Sequence, residues 1–474
     1  MSQDRGQFSS RLGFILAAAG SAVGLGNMVA FPVMASKNGG AAFLIVYLLF
    51  IALLCYPVMM SEIAMGRRTQ RNPVGAFSEI AGAGSLWRWA GQLAILTPFM
   101  IAVFYLVITV WLVVYLGQLA LGNLDYLATD VAFGEIVASP SLFLYMVFLM
   151  GLIFVVLLGG VKGGIEKLAR ILMPVLVVML LALMTFVLTL ENASAGVSYY
   201  LIPDFSKING AVINGALGHA FFSLSLGMGI LITYGSYFSK HDNIASSTRL
   251  VALADTGIAF FAGMLIIPAI FVFEPGTNTE ELSTSSVSLI FSFLPKIFVA
   301  MQATFGAFGA SVFAFLFFLL VFFAALTSLV SIIEIPIAYM IDEWQFPRRK
   351  AVSIQAGMLT LFVIPATMSL GISDFLTSFI NYGGASKSFF DLVSDVFYET
   401  ILPFGGFLVC LFCAYRWKFT GMSAELAEGD ENYRGSFLEK YINFSLGTII
   451  PVILFLVFLN TVAVKFFAYN LFGI

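Results

Sequence analysis

The hydrophobic pattern of this chain has one dominant length. Apolar stretches of about 20 residues, enough to cross the hydrocarbon of a bilayer, recur eleven times, at roughly 12–35, 41–65, 88–118, 141–159, 166–190, 211–238, 246–273, 304–341, 350–370, 391–416 and 442–470. Short polar segments separate them. The stretch 283–300 is moderately apolar, but it is short and interrupted by Pro295. It predicts a re-entrant or surface helix, not a crossing. The pattern predicts an all-α membrane protein of eleven transmembrane helices, referred to below as spans 1–11.

Two of the predicted helices are interrupted in the middle. Span 1 reads Gly20-Ser21-Ala22-Val23-Gly24-Leu25-Gly26-Asn27, then Phe31-Pro32, and span 6 reads Ser223-Leu224-Ser225-Leu226-Gly227-Met228-Gly229. Glycine costs a helix interior about 1 kcal/mol relative to alanine. A single Gly-x-Gly reads most simply as close helix packing. Here the two clusters occupy corresponding positions, first in spans 1–5 and first in spans 6–10, and each has polar side chains within a turn. An odd offset of five spans also inverts one half relative to the other. Paired interruptions of this kind point to a midplane binding site in inverted-repeat transporters. Freed carbonyls suit a cation and freed amides suit a carboxylate, so the pattern points to a site for a zwitterion and a cation.

Composition narrows the classes. The 474 residues are 60% hydrophobic and only 10% charged, with a mean hydropathy of +0.99, against about 25% charged for a soluble domain. A net charge of -3 with no basic tract argues against nucleic acid as a partner. Cys55, Cys410 and Cys413 fall inside apolar runs and read as packing residues. Residues 1–11 are polar, and no cleavable signal peptide is evident. With the N-terminus in the cytoplasm, 18 of the 23 lysines and arginines fall inside, leaving Lys37, Lys207, Lys296, Lys387 and Lys465 outside. That bias predicts a cytoplasmic N-terminus and an external C-terminus. Asn192-Ala193-Ser194 matches a glycosylation sequon, a three-residue pattern common by chance, and a bacterial plasma membrane is the expected location.

The same residues carry a resemblance. Arg11-Leu12-Gly13-Phe14 through Gly24-Leu25-Gly26-Asn27, Phe31-Pro32 and Asn38-Gly39-Gly40 resemble the first-span signature of the neurotransmitter:sodium symporter family, in its bacterial amino-acid transporter branch. Glu62-Ile63-Ala64-Met65-Gly66-Arg67, Ser225-Leu226-Gly227-Met228-Gly229 with Thr233-Tyr234, and Ala324-Ala325-Leu326-Thr327-Ser328 resemble its second, sixth and eighth spans. The resemblance runs from about residue 5 to 416. It implies an N-terminal gate segment at 1–10, inverted repeats at 11–190 and 191–416, a cytoplasmic loop at 417–440 and an eleventh span at 441–474.

By resemblance there are two Na⁺ sites. One comprises the carbonyls of Gly20, Val23 and Ala324 with the hydroxyls of Thr327 and Ser328. The other comprises the carbonyl of Ala22 with Asn27, Ser223, Asp255 and the substrate's carboxylate. All-oxygen ligation is what a hard cation requires. The implied substrate pocket is Ser21, Ala22, Leu25, Gly26, Ile101, Tyr105, Phe222, Ser225, Met228, Ser328 and Ile332, with Tyr105 offering its hydroxyl to the carboxylate. Amine-transporting members carry aspartate where this chain has Gly24, so an amino acid is expected, and the apolar side-chain subsite suggests a neutral hydrophobic or aromatic one. Arg5 and Asp342 resemble the cytoplasmic gate pair, with Ser236, Tyr237 and Phe8 nearby. Asp395 matches the outer-gate aspartate, whose usual arginine partner is here Ala30.

Other departures concern the anion. Asp255 stands where many members have asparagine, His219 where chloride-dependent members have glutamine, and Ala259 where they have serine, although Tyr47 and Ser223 are kept. Intramembrane ionisable residues are functional suspects. Asp255 is expected to supply the charge that chloride supplies elsewhere and to carry a proton back when Na⁺ leaves, with His219 hydrogen-bonded to it. The alternative for His219 is a packing residue. Glu62 is expected to cap amides freed by the break in span 6, and Glu334 to hydrogen-bond on the cytoplasmic side. Gly164 and Pro174 in span 5 resemble a motif tied to local unwinding. A proton-coupled transporter of the related five-plus-five fold would keep the broken helices but need not keep Thr327-Ser328. A membrane enzyme finds no catalytic motif here, while a channel or sensor on the same fold stays open. Stoichiometry and oligomeric state are not readable from the sequence.

Overall fold

A computed structural model describes residues 6–82, 84–273 and 289–471. Among them, eight helices are long and apolar enough to cross a membrane: Ala41–Thr69, Arg88–Ala120, Val161–Leu188, Ile244–Phe273, Gln302–Glu343 (kinked at Gly306), Arg348–Met368, Phe389–Ala427 (interrupted at Lys418) and Phe437–Phe467. They correspond to spans 2, 3, 5, 7, 8, 9, 10 and 11. Span 1 is a ninth, made of Arg11–Ala22 and Gly26–Lys37 bent by 53°. Span 4, Leu142–Leu158, is shorter, and span 6 is two pieces, Gly210–Ser223 and Ile230–Gly235. These elements are compatible with eleven crossings.

The breaks fall where the glycines predicted them. Helix Arg11–Ala22 ends when Val23 turns extended, with ψ 106°. In span 6 the chain leaves the helix after Ser223 and passes through the left-handed region at Ser225, Gly227 and Gly229. Glycine is needed twice here, by conformation and by space. A Cβ on Gly227 would stand 2.5 Å from the Leu402 carbonyl oxygen, and one on Gly229 would stand 2.8 Å from that of Ala94. The short half Ile230–Gly235 then lies against span 2 backbone to backbone. Gly66 and Gly235 leave no room for a side chain at that contact, the small-residue packing typical of membrane helices.

Around the breaks, spans 3 and 8 form the longest helix–helix contact, and the first half of span 1 packs against spans 5, 7 and 8. The predicted non-crossing helix is present as Leu289–Phe293 and Leu294–Ala300; residues 283–288 of that stretch lie outside the described residues. Span 5 stays helical through Gly164 and Pro174. Cys55, Cys410 and Cys413 are free and buried.

Two features depart from the sequence reading. The segment 417–440 is not simply a loop. Lys418, at φ 63°, stops span 10 and starts a ten-residue helix, Lys418–Ala427. Between spans 9 and 10 a small antiparallel hairpin pairs Ile380–Tyr382 with Ala385–Lys387 around Gly383-Gly384, both at positive φ.

Candidate ion and substrate site

Span 8 presents its hydroxyls to the break in span 1. The Ser328 hydroxyl lies 3.1 Å from the carbonyls of both Ser21 and Val23. Thr327 lies one residue earlier, its hydroxyl 3.0 Å from the Ala324 carbonyl. Gly20 completes the group, since a Cβ there would sit 3.5 Å from Thr327 Cβ. The structure thus brings Gly20, Val23, Ala324, Thr327 and Ser328 together. Their donors are carbonyl and hydroxyl oxygens only, the chemistry a hard cation selects.

A second oxygen cluster lies on the other side of the break. Asn27 Nδ2 donates to Ser223 Oγ at 3.0 Å and to Asp255 Oδ1 at 2.7 Å, and Ser223 Oγ donates to Asp255 Oδ2 at 2.9 Å. The Asn27 amide oxygen accepts from Gly24 N–H at 3.0 Å. Asp255 is fully buried, and among the described residues no cationic side chain pairs with it. A buried carboxylate is costly unless it is paired with opposite charge. Its position beside Asn27 and Ser223 therefore fits a cation.

His219 does not hydrogen-bond Asp255. It lies one helical turn before Ser223, with its ring between Phe31 and Tyr47 at 5.5 and 5.7 Å, and its Nε2 has no partner. Asn27 and Ser223 satisfy the carboxylate instead.

Between the clusters is a small, nearly closed cavity, with ≈ 20 Å³ open to water, lined by Ser21, Ala22, Gly24, Gly26, Tyr105, Phe222, Ser225, Met228, Ser328 and Ile332. The Ser21 hydroxyl is buried and unpartnered there, so a polar ligand group has a donor to meet. Tyr105 accepts a hydrogen bond from Leu25 N–H at 2.9 Å, which fixes its phenol at the wall. Two residues are placed elsewhere. Leu25 turns toward a neighbouring cavity, and Ile101, one turn before Tyr105, is fully buried and does not line this one.

The profile of the Sodium:neurotransmitter symporter family matches residues 5–129 and 132–472. The chain belongs to that family. Its relatives include an uncharacterized sodium-dependent transporter of Bacillus subtilis, YhdH, which is 34% identical over 468 residues, covering 97% of this chain and 98% of the relative. Another, from Haemophilus influenzae, is 30% identical over 97% of this chain and 98% of its own length. The crystal structure of MhsT in complex with L-phenylalanine superposes with a TM-score of 0.82 at 37% identity, covering 96% of this chain and 99% of MhsT. The family is one of sodium-dependent transporters, not enzymes, and the apolar helices make this member a multi-pass membrane protein.

The two ends of this symporter are built differently. On the N-terminal face, Phe8 wedges among Phe14, Tyr234 and Tyr237, and its N–H donates to the Tyr237 carbonyl at 3.2 Å. Arg5 lies outside the described residues. Asp342 accepts from the backbone and side-chain nitrogens of Asn72 at 2.8 and 2.9 Å, while Ser236 donates to the Thr233 carbonyl. Tyr237 donates to Glu334, which also holds Arg348 through two hydrogen bonds of 3.0 and 2.6 Å. Glu62 accepts from Gly227 N–H at 2.8 Å and so caps the break in span 6. Both glutamates do what their positions predicted.

On the distal face, cavities of ≈ 300 and ≈ 210 Å³ meet at Phe222 and Tyr398, and both reach Ala30. These two aromatic rings pack edge to face 4.3 Å apart. Asp395 accepts from Tyr382 at 2.9 Å and from Lys465 of span 11 at 3.1 Å, and Lys387 of the hairpin is 3.6 Å away. Lys465 also binds Glu399. With alanine at 30, the outer aspartate is paired from span 11 and from the hairpin.

Sequence reasoning missed these lysines, and it missed Glu166. The latter is buried in the second turn of span 5 and holds Ser9 N–H and Oγ at 2.8 and 2.5 Å, with Arg170 at 2.6 Å. A lone buried acid in a Gly-rich turn was the available signal.

Proposed function

We propose that this symporter moves a neutral hydrophobic or aromatic amino acid into the cell together with two Na⁺ ions, without chloride. The N-terminal face is cytoplasmic, as the distribution of lysine and arginine favours. The observation that carries the reading is Ser328, whose hydroxyl belongs to one oxygen cluster while also lining the cavity. A ligand carboxylate beside Ala22 and Asn27 would in turn complete the other cluster. Ion and substrate then stabilise one arrangement of spans 1, 6 and 8, and their binding is reciprocal by linkage. The walls contributed by Phe222, Met228 and Ile332 suit an apolar side chain. That MhsT is seen with L-phenylalanine supports the substrate class.

Gly24 leaves no carboxylate for a lone ammonium, so the ligand supplies its own. Asp255 supplies a fixed charge where chloride would sit, which is the support for chloride independence. Alternating access is favoured by flexible breaks against a rigid scaffold of spans 3 and 8, with Phe8 closing the cytoplasmic end and Phe222 with Tyr398 the outer one.

Equilibrium binding of labelled L-phenylalanine in NaCl, sodium gluconate and KCl tests this reading, with phenethylamine as competitor. The expected result is binding in both sodium salts, none in KCl and no competition by the amine. Equal competition by phenethylamine would contradict the carboxylate argument, and a need for chloride would contradict the role of Asp255.

A further inference from the structure

Far from the transport site, span 9 buries a polar side chain that the protein does not satisfy. Its inward stripe runs Ala351, Val352, Gln355, Leu359 and Val363. Gln355 is fully buried, and neither its Nε2 nor its Oε1 has a hydrogen-bond partner. A carboxamide offers two N–H donors and a carbonyl acceptor. Native interiors leave few such groups unpaired, and each one asks for an explanation.

Gln355 lines a cavity of ≈ 280 Å³ between spans 3, 8 and 9, whose other walls include Phe99, Met100, Tyr339, Met340 and Trp344. Methionine and aromatic walls adapt to a flexible apolar occupant. The mouth opens on the outer surface of the helix bundle, where the lining residues Leu96 and Met358 are 46% and 42% exposed. The lining helices carry basic residues at their starts. Arg349 and Lys350 stand in the first turn of span 9, and Arg88 stands one turn before the lining residue Gln92 of span 3, all exposed. The Lys350 ammonium sits 3.8 Å over the Phe346 ring, which packs against Trp344 at the cavity wall. At 1.5 Å per residue, Gln355 lies about 8 Å along the helix from Arg349 and Lys350.

We infer that this crevice binds one anionic glycerophospholipid. An acyl chain lies along Phe99, Met100 and Met340, an ester carbonyl accepts from Gln355 Nε2, and the phosphate sits among Arg349, Lys350 and Arg88. A water molecule would satisfy Gln355 but not the apolar walls, and a free anion would satisfy only the basic residues. The two helices that flank the lipid, spans 3 and 8, carry Tyr105, Thr327 and Ser328. The occupied crevice therefore abuts the scaffold of the transport site.

Native mass spectrometry tests this on the full chain released from nanodiscs of equal parts dioleoyl-phosphatidylglycerol and dioleoyl-phosphatidylcholine. The expected result is one retained phosphatidylglycerol, favoured roughly tenfold or more, the scale set by two basic side chains at an anionic headgroup. R349Q/K350Q should lose the preference, and Q355L should lose the retained lipid. Thermal unfolding of lipid-stripped protein is the folding control. Q355L should melt no lower than the parent, because it removes an unsatisfied amide. Loss of all lipid from the parent, equal retention of both lipids, unchanged retention in the variants, or a lower melting point for stripped Q355L would each overturn the proposal.

Discussion

Replacing Gly24 by alanine adds one methyl group at the most crowded point of the site. The new Cβ would stand 2.6 Å from Ser328 Oγ and 2.6 Å from the Tyr105 hydroxyl, well inside van der Waals contact. Neither neighbour moves freely. Ser328 is held by the Ser21 and Val23 carbonyls, and Tyr105 by Leu25 N–H. Overpacking a tight site by a methyl costs about 1–3 kcal/mol. In the proposed mechanism Ser328 serves both the ion and the substrate, so that cost should appear in both affinities, as a loss of roughly 5- to 150-fold. Binding of labelled amino acid at varied Na⁺ measures it. Gly151→Ala is the control, since a Cβ there meets nothing within 4 Å. A Gly24→Ala protein with parental affinity for both Na⁺ and substrate would refute the packing argument. Loss of substrate affinity with unchanged Na⁺ affinity would refute the shared role of Ser328.

Asp255→Asn should raise the Na⁺ concentration for half-maximal uptake in gluconate by roughly tenfold or more, the scale on which a nearby opposite charge shifts an ionisation. Chloride should restore part of the loss; unchanged chloride-free uptake would show that Asp255 is only structural. Arg67→Met should lower stability by about 3–5 kcal/mol, because it strands Glu425, which is buried with Arg67 in a 2.7 Å ion pair. Thermal unfolding in detergent reads this, and the double change with Glu425→Leu should recover most of it. Lys465→Gln should speed dissociation of labelled substrate up to about fivefold, the range for a partly exposed pair, since Asp395 and Glu399 lose a shared partner. An unchanged rate would remove Lys465 from the outer closure.

The span pattern and the two breaks were legible because each is local: a glycine cluster in an apolar run announces a break. The pairing of span 1 with span 8 is long-range, and it was reached only through the family resemblance of the Thr327-Ser328 pair. Glu62 could be read because an acid one turn from the end of span 2 has few uses except to satisfy freed amides. What escaped is long-range pairing. Lys465 stands 70 residues from Asp395, and nothing near it in the sequence says which acid it meets. The Lys418–Ala427 helix was hidden by its mixed composition, though it carries Glu425 to Arg67. His219 stayed open between Asp255 and a packing role because sequence gives a helical face but not a ring's direction. Ile101 differs from Tyr105 by one turn, and only packing decides which of the two meets the cavity.

Coupling is the centre of the account, and uptake into proteoliposomes tests it most directly. A panel of labelled amino acids is offered under an inward Na⁺ gradient, an inward K⁺ gradient or a proton gradient, with chloride replaced by gluconate. The account predicts concentrative uptake of a neutral hydrophobic or aromatic amino acid with Na⁺ and none with K⁺ or protons alone. Uptake driven by protons without Na⁺, or no uptake of any amino acid by protein that binds them, would contradict it.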